Sequence, residues 1–279
     1  MSTPTLAVWK FASCDGCQLT VLDCEDELLA IAKALDIRMF LEAGPEEVLD
    51  HYDISLVEGS VTTAHDAERI VDIRARSGAL VTIGACATTG GVQALRNGAD
   101  VADYCRSVYA RPDWIETLAT STPIADHVTV DYELHGCPIS KHELLGTITA
   151  LLAGRRTPVT RHSVCIECKQ LGNPCVLVAH GTACLGPVTH GGCHALCPSF
   201  DRGCFGCFGP SESANVDGLR VALHAGGTTD PVLVRMLRTF TTSAPAFHDA
   251  AERYDTAQRD DTAQRDGSAV ADASGAHRP

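Results

Sequence analysis

The sequence predicts an α/β chain in which a doubly wound parallel sheet comes first and a smaller, irregular domain follows. Three observations predict it. Short apolar runs of strand length alternate with segments of helical periodicity through residues 1–153, and strands separated by helices imply parallel pairing with both sheet faces covered. From Gly154 to Pro210 that periodicity is lost and Gly, Pro and Cys dominate. Of the 279 residues 45% are hydrophobic and only 5% aromatic, which suits a largely aliphatic core in one large domain or two ordinary ones.

Leu6–Phe11 is an apolar run of strand type. Cys17–Leu35 places Leu19, Leu22, Leu28, Leu29, Ala32 and Leu35 at helical spacing and predicts one helix. Ile37–Leu41 and Ile54–Val57 read as strands, and Thr63–Ser77 as a helix with Thr63 as its N-cap. Ala79–Ile83 is the continuous apolar run of a strand buried on both faces, and Gly84 stops it. Val128–Leu134 is a further strand and Lys141–Leu152 a helix. This alternation predicts a flavodoxin-like domain over 1–153. Residues 154–245 form the second domain, with helices over Asn215–Ala225 and Pro231–Phe240. After about Ala250 the chain is polar and carries DTAQRD twice, at 255–260 and 261–266, which predicts a disordered tail over 250–279.

The formal net charge of −13 argues against nucleic acid or an anionic membrane surface as partner. No apolar stretch approaches the roughly 18 residues of a membrane span. The start, MSTPTLAVWK, has neither the basic-then-apolar pattern of a signal peptide nor a twin arginine, and Arg155-Arg156 lies mid-chain. The expectation is a cytoplasmic protein.

In a reducing compartment, fourteen cysteines point to metal binding or redox chemistry rather than disulfides. Cys14 and Cys17 form a CxxC after the first strand. Cys86 follows the strand ending at Ile83, in GACATTGG, and Cys137 follows the strand ending at Leu134, in HGCP. Open parallel sheets bind ligands beyond the carboxyl ends of their strands, so three strand ends deliver four thiols to one edge. Gly84, Gly90, Gly91 and Gly136 flank them, where backbone must turn tightly against a bulky group. A [4Fe–4S] cluster takes four thiolates. Zinc also accepts four, and a CxxC alone serves dithiol chemistry. Structural zinc favours paired CxxC knuckles over single cysteines scattered along the chain, so the cluster is the preferred reading.

Eight more cysteines crowd into 43 residues, as C-x2-C-x6-C-x8-C-x8-C-x3-C-x6-C-x2-C from Cys165 to Cys207. Eight thiols suit two [4Fe–4S] clusters, and Cys193-x3-Cys197-Pro198 matches a fragment of the bacterial ferredoxin pattern. Two zinc ribbons are the alternative, although His and basic residues follow no finger pattern. Cys24 and Cys105 fall in helical segments and are read as buried, inert thiols.

Together these motifs resemble the small subunit of [NiFe] hydrogenases over residues 5–245. They comprise the CxxC at Cys14/Cys17, Glu58-Gly59 after a middle strand, the G-x-C-A-x-x-G-G loop at Gly84–Gly91 and the GCP at Gly136–Pro138. The related quinone-reductase subunit of respiratory complex I carries adjacent cysteines at its first motif, whereas this chain has CxxC. The C-terminal half looks most like the cytosolic, NAD(P)-linked hydrogenases also called sulfhydrogenases. Periplasmic members use a histidine in H-x2-C as a distal ligand and only three medial cysteines. This chain has His162-x2-Cys165, but Cys168 can replace the histidine and Cys197 supplies a fourth medial thiol.

The resemblance implies an electron-transfer subunit with three [4Fe–4S] clusters. Cys14, Cys17, Cys86 and Cys137 would hold the proximal one, Cys193, Cys197, Cys204 and Cys207 the medial one, and Cys165, Cys168, Cys175 and Cys184 the distal one. A ferredoxin-type interleaving of the last eight is the alternative partition. Gly16, Gly59, Gly84, Thr88 and Gly136 would line the proximal cluster. Glu58 would relay protons or bond the large subunit, or else simply cap a neighbouring helix. The nickel–iron centre would lie in a large partner subunit, with a flavin/NAD(P) or iron–sulfur acceptor subunit at the other end. Two competing classes are an electron carrier without a hydrogenase partner, ferredoxin-like or related to complex I, and a zinc-stapled interaction module.

Overall fold

The computed structural model describes residues 3–257 apart from 45, 158 and 159. Strands β1 (Thr5–Lys10), β2 (Asp36–Phe40), β3 (Tyr52–Glu58), β4 (Ser77–Ile83) and β5 (Tyr132–Leu134) form an all-parallel sheet ordered β2-β1-β3-β4-β5. Helices α1 (Gly16–Leu22), α2 (Glu25–Ala34), α3 (Ala64–Ala75), α4 (Gly84–Thr89), α5 (Val101–Val108) and α6 (Lys141–Leu152) accompany it. Successive strand residues point to opposite faces. Leu6, Val8, Ile54, Leu56, Val81 and Ile83 therefore pack with Val21 of α1 and with Leu144 and Ile148 of α6. Ala7, Trp9, Val57 and Leu80 pack with Ile70 and Ile73 of α3. Burial on both faces explains why the strands read as near-continuous apolar runs.

Three local expectations are corrected. The helix expected over Cys17–Leu35 is two helices, with Glu25 in left-handed backbone at φ 43° between them. Helical periodicity survives a change of axis, so the break leaves no mark in the apolar spacing. Of the strand expected over Val128–Leu134 only Tyr132–Leu134 pairs, against Val81–Ile83. Just before it, the Asp131 carboxylate accepts the Leu80 N–H at 2.8 Å, while Val128 and Val130 are apolar because they pack on the α3 face. The third correction concerns the tail and is described with the second core below. The Thr63 cap forms, its Oγ1 accepting the Asp66 N–H at 3.1 Å. Thr63→Ala is expected to lower the opening free energy of the first-turn α3 amides by ~1 kcal/mol, measured by native-state hydrogen exchange.

The second half carries short helices α7 (Val164–Gln170), α8 (Val176–His180) and α9 (Leu196–Ser199), then α10 (Val216–Ala225) and α11 (Asp230–Leu237). The first three are too short to display a periodicity in sequence. Val164, Leu185, Leu223, Leu233 and Phe247 share a separate core. Residues 245–257 are also helical, which corrects the expected start of disorder at 250. Phe247, Ala250, Ala251 and Tyr254 form an i, i+3, i+4, i+7 stripe that is buried, and the Tyr254 hydroxyl donates to Asp217. The rest of the tail, including most of the DTAQRD repeat, lies outside the described residues. Among the described residues no helix is long and apolar enough to cross a membrane.

Candidate metal centres

The carboxyl ends of four strands lie in one row. Lys10 of β1 pairs with Glu58 of β3, Glu58 with Ile83 of β4, and Ile83 with Leu134 of β5. Cys14, Cys17, Cys86 and Cys137 follow within a few residues of these ends, so the register carries all four thiols to the same edge. The chain reverses winding direction between β1 and β3, where such sheets open a crevice. Glu58 closes that crevice: its Oε1 accepts the Cys17 N–H at 2.9 Å and its Oε2 accepts Gln18 Nε2 at 2.7 Å. This is the helix-capping arrangement, from the end of β3 to the first turn of α1. Glu58 is 2% exposed, and burial raises its pKa although Gln18 and the Cys17 N–H oppose the shift.

Gly84 shows why this edge needs glycine. Its φ is 87°, and a Cβ there would overlap Cys17 Sγ. At Gly136, φ 128°, a Cβ would meet the Pro138 carbonyl and the Phe208 ring. Gly16 lies beside Cys14 Sγ, whereas Gly59 lies against the backbone of Phe11 and Ala12. Thr88 Oγ1 donates to the Gly84 carbonyl at 3.1 Å, inside α4.

The eight later cysteines form two neighbouring sets. Cys165 and Cys168 stand on α7, Cys175 precedes α8 and Cys184 follows it. Burial pushes the Cys165 thiol up to about 11, and negative charge on Cys184, Cys168 and Cys175 adds to it. Cys193, Cys197, Cys204 and Cys207 line a cavity of about 260 Å³, and Cys137 lines it too. The sets meet at two points. Cys137 of the sheet-edge set lines the same cavity as Cys207, which joins the sheet-edge set to the cavity set. The Cys204 N–H donates to Cys184 Sγ at 3.2 Å, which joins the cavity set to the α7–α8 set. The three sets are thus arranged in series.

The donor chemistry fits iron–sulfur clusters. Burial, reinforced by neighbouring thiolates, pushes Cys86 up to about 11 and Cys207 to about 12, and raises Cys17 further. Crowded thiols that resist ionisation call for bound positive charge, since a coordinated thiol is deprotonated outright. Among the described residues no three His, Cys, Asp or Glu side chains converge on a single ion. Zinc would draw four sulfurs to about 2.3 Å from one point. Cys193, Cys197, Cys204 and Cys207 instead line a cavity of about 260 Å³, many times the ~30 Å³ share of one water molecule. Backbone N–H groups of Gly186 and Gly206 approach Cys184 and Cys204 sulfurs at 3.4 Å, the contacts that tune cluster potentials.

Some residues fall elsewhere. Cys24 is fully buried as expected, but Cys105 is half-exposed on α5, a helix with no buried residue. His162 turns toward Glu167, Nε2 to Oε1 at 3.4 Å. Gln18, Gln93 and Glu167 escape a reading based on cysteine spacing. Gln93 Oε1 lies 3.3 Å from Cys86 Sγ while its Nε2 donates to the Ala12 carbonyl. Gln18 is a polar residue on the buried side of α1, a signal its apolar neighbours do offer; Gln93 sits in a short 3-10 helix, Val92–Gly98, and offers none.

Comparison with known proteins gives a consistent result. The family model described as NADH ubiquinone oxidoreductase, 20 Kd subunit, matches residues 14–151. The chain is 37% identical over 235 residues to sulfhydrogenase 2 subunit delta of Pyrococcus furiosus, covering 84% of this chain and 98% of the relative. It is 30% identical over 267 residues to a subunit of the F420-non-reducing hydrogenase vhu of Methanocaldococcus jannaschii, covering 83% and 92%. Among solved structures it resembles a chain of an NAD+-reducing [NiFe]-hydrogenase in the H2-reduced state, with TM-score 0.53, 29% identity, and coverage of 56% of this chain and 95% of that one. A chain of the Ni-Fe-Se hydrogenase from Desulfomicrobium baculatum, at 15% identity and TM-score 0.54 over 78% of this chain and 98% of that one, shares the fold.

Proposed function

Since the chain belongs to the family of [NiFe] hydrogenase small subunits, we propose that it passes electrons between the nickel–iron centre of a large subunit and an acceptor subunit through three [4Fe–4S] clusters. It is an oxidoreductase subunit, and the residues that activate hydrogen belong to its partner. Cys14, Cys17, Cys86 and Cys137 hold the proximal cluster, Cys193, Cys197, Cys204 and Cys207 the medial one, and Cys165, Cys168, Cys175 and Cys184 the distal one. Clusters of this type exchange single electrons at potentials set by charge, hydrogen bonds and burial.

The observation that carries this reading is the serial arrangement of the three thiol sets, through the cavity that Cys137 shares with Cys207 and then through the Cys204–Cys184 hydrogen bond. A route confined to protein needs neighbouring centres in that order. Cys14 and Cys175 are the exposed members of the two end sets. Their exposure supports a proximal face toward the large subunit and a distal face toward the acceptor. Likeness to a chain of an NAD+-reducing enzyme favours an acceptor subunit of the flavin/NAD(P) type, in the cytoplasm. Glu58, with both oxygens engaged by α1, holds the CxxC turn in place.

Metal analysis of the assembled complex tests the reading. We expect about twelve iron and about twelve acid-labile sulfide per copy of this chain, beyond the partner subunits' own content. Stoichiometric zinc with little iron would overturn it.

A further inference from the structure

Glu167 is a buried carboxylate, 7% exposed, between two cysteines of one set and bonded to the loop of the next. It stands on α7 between Cys165 and Cys168. Its Oε1 accepts the Gly192 N–H at 2.6 Å and its Oε2 the Ala195 N–H at 3.1 Å, with Cys193 Sγ 3.9 Å from Oε2. The loop is shaped around it: Gly192, His194 and Ala195 all take positive φ, at 120°, 53° and 48°. Successive amides in such turns form a concave anion site, and here the anion is the protein's own side chain. The Ala195 N–H is thereby held on the carboxylate. The His162 imidazole lies 3.4 Å from Glu167 Oε1, and the Glu143 carboxylate lies against Gly192.

We infer that Glu167 sets the reduction potential of the centre bound by Cys193, holding it low; this rests on the proposed medial cluster. A fixed negative charge beside a ligand sulfur disfavours the added electron. Holding the Ala195 N–H on the carboxylate acts in the same direction, because hydrogen bonds to sulfur stabilise the reduced state. Glu167 is a positioning residue: it acts on the centre through Cys193 and the loop.

The test is an EPR-monitored redox titration of the assembled complex, comparing wild type, Glu167→Gln and Glu167→Asp. A Cys197→Ser variant identifies the medial signal and Cys168→Ser the distal one. The expected result is that Glu167→Gln keeps its iron and labile sulfide, shifts the medial midpoint upward and leaves the other two in place. Glu167→Asp, which keeps the charge, should stay near wild type. Unchanged midpoints at full iron content would overturn the inference. So would a shift confined to the distal signal, or a Glu167→Asp midpoint as high as that of Glu167→Gln. Iron loss in Glu167→Gln with Glu167→Asp intact would make the residue a structural strap and also overturn it. A complex in which Cys197→Ser perturbs no signal would instead sink the three-cluster reading itself.

Discussion

Cys137→Ala in the assembled complex is expected to abolish hydrogen-linked reduction of the acceptor while the eight C-terminal thiols keep their iron. Cys137 combines two roles. Its sulfur belongs to the sheet-edge set, and the residue lines the cavity that holds Cys207, the first contact with the next set. A three-thiol site tends to lose iron or take a foreign ligand, so the first centre fails where electrons enter or leave the partner. Cys24→Ala is the matched control. Cys24 is fully buried and donates to the Thr20 carbonyl at 3.4 Å, so its loss leaves a small cavity worth ~1 kcal/mol and no missing ligand. Iron content, EPR and hydrogen-dependent turnover of both variants decide the matter. Three intact clusters in Cys137→Ala, or one lost in Cys24→Ala, would refute the ligand assignment.

Gly84→Ala should come close to the same loss without touching a cysteine. The new Cβ would overlap Cys17 Sγ, and φ 87° strains any L side chain at a cost of about 1–3 kcal/mol. Relief requires moving either α4, which carries Cys86, or the Cys17 side chain, and both moves open the proximal site. We expect about a third of the complex's small-subunit iron to disappear, with the medial and distal signals intact. Gly98→Ala meets nothing within 4 Å and has no positive φ, so it should retain all its iron. Equal iron in the two variants would show that the Gly84 contact does not govern the site.

Much of the architecture was legible because its determinants are local. A buried parallel strand announces itself as an apolar run, as Ala79–Ile83 does within the strand Ser77–Ile83. A helix with a capping threonine and regular spacing does so as well, and the apolar spacing of Lys141–Leu152 gives that helix to the residue. Cysteine spacing is likewise written directly in the chain, and with it the likeness to the hydrogenase small subunits. Where legibility failed, a distant partner had taken over. Val128 and Val130 are apolar like strand residues but pack instead of pairing, because Asp131 takes the Leu80 N–H. The stripe through Tyr254 was obscured by polar neighbours that pair with distant residues, Glu252 and Asp255 with Arg238 and Arg253 with Asp217.

By itself, then, the sequence determined the alternating α/β class, the places where strands end, and the supply of four thiols followed by eight. The tertiary structure decided the strand order, the row Lys10–Glu58–Ile83–Leu134 that levels the strand ends into one site, and the contacts that put the thiol sets in series. It also decided which polar groups hold the loops: Glu58 reaches Cys17 across 41 positions, and Glu167 reaches Gly192 across 25. The physical reason is that side-chain periodicity and metal-ligand spacing act between near neighbours along the chain. Register and the pairing of a buried carboxylate are settled only when both sheet faces are covered and every buried donor must find an acceptor.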